Sequence, residues 1–191
     1  MIINKIYQLK VGLVESKPLI WRKILVHDQT LLPEFHHILQ TTMGWDNAHL
    51  HQFSNRNIIY SPPDEYNELP YTDYRKIKLN KLLKHINDHI VYEYDFGDGW
   101  EHEIVLEEVL NKESPQIYPL CIDGKNACPP EDCGGIGGYQ NLLTILSNPA
   151  HQEYDEWIEW LGGEFDPKVF NIEEVNKMLH SEDYGVISLW D

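Results

Sequence analysis

Hydrophobic and polar positions alternate from the start of the chain. Tyr7, Leu9, Val11 and Leu13 fall on one side and Gln8, Lys10 and Gly12 on the other, which is the period of a half-buried β-strand. Pro18 breaks the run, and Ile20-Trp21-Arg22-Lys23-Ile24-Leu25-Val26 supplies an antiparallel partner. The period then changes. Leu31, Phe35, Ile38, Leu39 and Met43 recur at three-to-four spacing, predicting a helix capped by Thr30 and stopped by Gly44. Next, His49-Leu50-His51-Gln52-Phe53 and Ile58-Ile59-Tyr60 flank the polar turn Ser54-Asn55-Arg56-Asn57, a hairpin pattern.

Residues 61–76 open on Pro62-Pro63 and read as a long loop, and Leu79, Leu82, Leu83 and Ile86 suggest a short helix. Two β-rich runs, Ile90 to Phe96 and Trp100 to Leu110, then surround Gly97-Asp98-Gly99. That is the clearest hairpin signal in the chain. After a loop at 111–138, helical spacing returns at Tyr139 to Leu146, His151 to Leu161 and Ile172 to Leu179. The last begins with Asn171 and carries Glu174 three residues on, a capping-box-like arrangement. Strands dominate the first 110 residues and helices the remainder. The expectation is an α+β fold: one domain over residues 1–191, an antiparallel sheet built from hairpins, with packed helices concentrated towards the C-terminal part.

Composition sharpens this picture. The 191 residues are 42% hydrophobic and 12% aromatic, enough apolar mass for a sizeable core. They carry 15 Lys and Arg against 31 Asp and Glu, a formal charge of −16. The excess is local: residues 1–92 hold 11 basic and 9 acidic side chains, whereas residues 93–191 hold 4 and 22. An acidic half of this kind offers a face for a basic protein partner, a carboxylate-rich cation site, or simply solubility. A broad phosphate-binding surface needs the opposite sign, so direct DNA binding is not expected. Neither a leader pattern nor a run of about 18 apolar residues is visible, so no membrane span is expected. Three cysteines make a disulfide framework improbable and a reducing cytoplasmic setting the expectation.

Four constellations carry candidate chemistry. On a strand, His49 and His51 share a face and can approach one ion, although hairpin histidines also bond ordinary neighbours. Asp95, Asp98, Glu101, His102 and Glu103 crowd one hairpin tip. There Asp98 can simply bond its own turn, and Glu101 and Glu103 face away from His102. Cys121, Cys128 and Cys133 are spaced by six and four residues. With His102 or His151 they have the donors for a zinc site, or they are small buried residues. The glycines of Gly134-Gly135-Ile136-Gly137-Gly138 match no phosphate-loop pattern and suit close packing instead, since Glu131 and Asp132 upstream repel anions. Most of the six tryptophans, Trp21, Trp45, Trp100, Trp157, Trp160 and Trp190, are expected to be core residues, Trp157 and Trp160 forming the buried stripe of one helix.

The segments Pro18-Leu19-Ile20-Trp21-Arg22, Met43-Gly44-Trp45, His49-Leu50-His51-Gln52-Phe53, Tyr92 through His102 and Cys128 through Gly135 together resemble the plasmid pRiA4b ORF-3-like family. The resemblance spans about residue 4 to residue 180. It implies a single α+β domain of a kind carried on plasmids, chromosomes and insertion elements, and sometimes labelled resolvase-like. It brings no catalytic residues with it. Serine recombination needs clustered arginines around the scissile phosphate, and Arg22, Arg56 and Arg75 stand far apart. No complete catalytic set is present. The favoured expectation is a non-enzymatic binding or accessory module with an acidic docking face. The alternative is a metal-dependent, hydrolytic enzyme using His49, His51, Asp95, Asp98 and His102 around zinc or another divalent cation.

Overall fold

The alternation at the N-terminus becomes β1 (Lys5–Leu13), where Tyr7, Leu9, Val11 and Leu13 are buried and Lys10 is exposed. A computed structural model describes residues 5–63, 70–112 and 115–186. Strand β2 (Trp21–His27) pairs antiparallel with β1, burying Arg22, Ile24 and Val26. Helix α1 (Leu32–Met43) follows, with Leu32, Phe35, Ile38, Leu39 and Met43 buried. Gly44 ends it at φ 88°, its N–H donating to Gln40 O, as the sequence predicts. Thr30 does not cap it. The preceding residue is Leu31, and Pro33 supports the first turn instead.

Strands β3 (His51–Asn55) and β4 (Ile58–Ser61) make the expected hairpin. The loop read over 61–76 contains a short parallel strand, β5 (Thr72–Asp73), and a 3-10 turn at Tyr74–Lys76; its residues 64–69 lie outside the described residues. A four-residue helix α2 (Leu79–Leu82) leads to β6 (His89–Tyr94) and the long β7 (Trp100–Asn111). β7 pairs with β6 on one side and β1 on the other. The sheet order is β5-β4-β3-β6-β7-β1-β2-β8, antiparallel except for β4–β5. The fold is therefore α+β, as expected.

The eighth strand corrects the reading of 111–138 as loop. β8 (Leu120–Lys125) adds to the edge beside β2. Its outer backbone is covered: the Asn176 amide accepts from Cys121 N–H at 2.7 Å and donates to Cys121 O at 2.8 Å. A side chain thus satisfies the main-chain groups a sheet edge otherwise offers to other chains.

The remaining helices are α3 (Gly135–Leu146), α4 (Tyr154–Trp160) and α5 (Ile172–Leu179). Asn171 caps α5 by accepting from Glu174 N–H. α3 begins four residues earlier than its apolar period suggests, inside the glycine run. A Cβ on Gly135 would meet Asp98 O at 2.4 Å, and one on Gly138 would meet Cys133 O at 1.8 Å. Close packing is therefore what these two glycines permit. The tryptophan stripe needs correction: Trp157 is partly buried, but Trp160 is 48% exposed and only meets the Trp157 ring edge-on. Trp190 lies outside the described residues. Among the described residues no helix is long and apolar enough to cross a membrane.

Candidate functional site

Three separate segments meet at one end of β3 and β6. The first is the connection after α1, residues 45–50. Trp45 Nε1 donates to Pro129 O at 3.0 Å, and Asp46 N–H donates to Glu131 Oε1 at 3.0 Å. Ala48 N–H donates to Tyr94 OH, which in turn donates to Glu131 Oε1 at 2.8 Å. This zip ties the connection to residues 129–131 and to the end of β6. Burial, then the Glu131 hydrogen bond and charge, raise the Tyr94 hydroxyl well above its ordinary pKa, keeping it a donor.

The second segment is the β6–β7 turn. Asp95 N–H donates to Leu50 O, and Asp95 adopts φ 56°. Its Oδ1 accepts from Gly97 N–H at 2.9 Å while its backbone carbonyl accepts from Gly99. The expected self-bonding turn carboxylate is thus Asp95. Asp98 instead reaches across to the third segment, accepting from Gly134 N–H at 3.1 Å. That third segment carries Asp132, also left-handed at φ 58°.

The result is a cluster of His49, Asp95 and Asp132 whose candidate ligand atoms all lie within 4.8 Å of one another. His49 Nδ1 is 3.8 Å from Asp95 Oδ1, and Nε2 is 3.3 Å from Asp132 Oδ1. Despite that proximity Nε2 is buried and makes no hydrogen bond. Exposure is graded: Asp95 is 11% accessible, His49 27% and Asp132 69%. One imidazole nitrogen and two carboxylate oxygens suit Zn²⁺, Mn²⁺ or Fe²⁺ and leave coordination positions for water.

The other candidates go elsewhere. β3 begins only at His51, so strand alternation does not bring His49 and His51 to one face. The His51 ring stacks on His36, centroids 3.4 Å apart and 5° from parallel, and its Nε2 meets Tyr74 OH at 3.1 Å. His36 bonds Tyr92 OH through Nδ1 and Asn47 Oδ1 through Nε2. Burial lowers the His36 pKa to about 3 and that of His51 well below its usual value, so both are neutral.

His102 is fully buried on the inner face of β7, with Glu101 and Glu103 on the outer face. Its ring packs edge-on to Trp45, and burial lowers its pKa to about 4. Among the described residues, Cys121, Cys128 and Cys133 do not converge into a ligand group. Burial raises the Cys121 thiol to about 11 and the Cys128 and Cys133 thiols to about 12, so all three are protonated at neutral pH. His151 Nδ1 accepts from Glu153 N–H at the start of α4.

Sequence reasoning missed Asp132 as a candidate ligand. It is 37 residues from Asp95, and nothing in the spacing links them. The available signal was its place inside the Cys-Pro-Pro-Glu-Asp-Cys motif, which packs against the other motif segments.

Residues 5–174 match the model of the plasmid pRiA4b ORF-3-like protein family. The chain belongs to that family. It is 34% identical over 180 residues to the uncharacterized protein y4hQ of Sinorhizobium fredii (strain NBRC 101917 / NGR234), covering 93% of this chain and 92% of that one. It is also similar to the crystal structure of MM3350, a protein of unknown function from Methanosarcina mazei Go1. There the TM-score is 0.83 and the identity 32%, over 90% of this chain and 97% of that one. The family segments named above, apart from that around Pro18, are those that close around His49, Asp95 and Asp132.

Proposed function

We propose that this domain binds one divalent transition-metal ion between His49, Asp95 and Asp132, and that the ion's free positions carry its chemistry. The observation supporting this reading is the buried His49 Nε2, 3.3 Å from a carboxylate yet without a hydrogen bond. A buried imidazole nitrogen left unbonded is costly, and a cation between it and the two carboxylates removes the cost. Three protein ligands with water in the remaining positions is the arrangement that lowers the pKa of bound water and supports metal-assisted hydrolysis. Asp98, His51 and His102 take no part as ligands in this reading.

Elemental analysis and Zn²⁺ or Mn²⁺ titration of the purified protein test it. One ion per chain is expected, lost in His49→Ala with the fold retained and kept in Cys128→Ser/Cys133→Ser. Loss only in the cysteine variant, or no ion in any preparation, contradicts it.

A second reading is a docking face for a basic protein. It is favoured by exposed Trp160 on α4 among exposed Asp155, Glu156 and Glu159. Titration with a lysine-rich peptide tests it. Binding that weakens with salt and with Trp160→Ala is expected, and salt-independent binding counts against it.

A further inference from the structure

The opposite end of the same two strands has the opposite charge. β6 runs from His89 to Tyr94 and Asp95 follows it, so at about 3.3 Å per residue the two ends are roughly 20 Å apart. At the His89 end, the β3–β4 turn, α2 and the α2–β6 connection enclose an open pocket of about 580 Å³. Arg56, Lys81, Lys84, His85 and His89 line it, with Asp88 as the one carboxylate in its wall. Three fixed cations and one anion give a local charge of +2 on a chain whose total is −16.

Among the described residues, Arg56, Lys81 and Lys84 have no carboxylate within ion-pair distance, although the chain has 31 carboxylates. Asp88 is occupied instead with the shape of the wall. Its Oδ2 accepts from Lys84 N–H at 2.7 Å and His85 N–H at 2.9 Å, and lies 3.6 Å from His85 Nδ1. Those two backbone hydrogen bonds, then the nearby His85 and Arg56 charges, hold its carboxyl below the usual range, so it stays ionised. The opposite wall is tied in as well: Asn55 Nδ2 donates to Leu82 O, and Tyr7 OH donates to Leu83 O. The backbone carrying the cations is held before any ligand arrives, which lowers the ordering cost of binding. Half-buried Tyr60 adds an aromatic surface to the lining.

We propose that this pocket binds a phosphate-bearing small molecule, its charged groups held by Arg56, Lys81 and Lys84. The volume suits a compact ligand of nucleotide size. A long nucleic acid would need a basic track continuing past the pocket, and the acidic remainder of the chain argues against one.

The test is calorimetric titration of the full chain with sodium pyrophosphate. It is done after dialysis against a chelator, so that an ion elsewhere on the protein cannot report. Saturable binding of one pyrophosphate per chain is expected. Arg56→Gln/Lys84→Gln, two exposed positions, should weaken it roughly tenfold or more, while Lys168→Gln on a different surface leaves it unchanged. Circular dichroism and thermal unfolding confirm that the variants fold. No binding, equal affinity in the double variant, or equal weakening by Lys168→Gln overturns the proposal. A duplex oligonucleotide binding more tightly than pyrophosphate also overturns it, in favour of a nucleic-acid surface.

Discussion

His49 and His51 are two residues apart and end in opposite surroundings. His51 is stacked flat on His36 inside a layer where Tyr92, Gln40, Asn47 and Tyr74 bond the rings or one another. His49 lies just before β3 begins, between two carboxylates, with a buried nitrogen that bonds nothing. The first region uses its polar atoms on itself, which makes it a structural layer. The second brings an imidazole nitrogen without a hydrogen bond together with two carboxylates, which is why it is the candidate site. Residue type alone does not separate the two, and neither does an unbonded nitrogen, since His102 Nε2 is also buried without a partner; the two carboxylates that converge on His49 do.

The largest expected effect falls on the structural layer. His36→Ala leaves a cavity and strips partners from Tyr92 OH and Asn47, so urea unfolding should show a loss of about 3 kcal/mol. A loss of less than about 1 kcal/mol would break the comparison. Gly135→Ala comes next. Its backbone sits at φ 66° and a Cβ would lie 2.4 Å from Asp98 O. It should cost about 2 kcal/mol and weaken metal binding by parting the Asp95 turn from the Asp132 loop.

Acid should weaken the layer by a smaller increment per step. The His36 pKa is depressed to about 3 in the folded chain, against an ordinary value near 6.5 when unfolded. Above about pH 6.5 both states are neutral and the stability is intact. Below it the unfolded state binds a proton that the folded state refuses, so stability falls with pH until about pH 3. The contribution is about 1.4 kcal/mol per pH unit. Urea unfolding free energies between pH 7 and pH 4 should fall at least this steeply, because His51 and His102 refuse protons as well, and His36→Gln should reduce the slope by about 1.4 kcal/mol per pH unit. The smallest stability effect belongs to the site itself: His49→Ala should change unfolding free energy by less than about 1 kcal/mol. The same variant should lower Zn²⁺ affinity about a hundredfold or more, because it removes a ligand outright.

Most of the scaffold was legible in local periodicity. The alternation over Tyr7–Leu13, the three-to-four spacing before Gly44, the Gly97-Asp98-Gly99 hairpin and the Asn171 cap each report an interaction within a few residues. β8 was not legible. Its Leu120-Cys121-Ile122 core is too short to show a period, and its place depends on Asn176, 55 residues away. The site was half legible. His49 and Asp95 stand out by residue type, but Asp132 joins them only through the Trp45–Pro129 and Tyr94–Glu131 contacts, which have no sequence period. Spacing pairs His51 with His49 because it cannot show that His36, from a helix, already covers His51.

X-ray absorption at the zinc edge of the protein loaded with one equivalent of Zn²⁺ tests the central claim most directly. The account predicts nitrogen and oxygen ligands at about 2.0–2.2 Å and no sulfur at about 2.3 Å, with the signal lost in His49→Ala. A sulfur shell would move the ion to the thiols of Cys121, Cys128 and Cys133 and contradict the account, as would failure to bind zinc stoichiometrically.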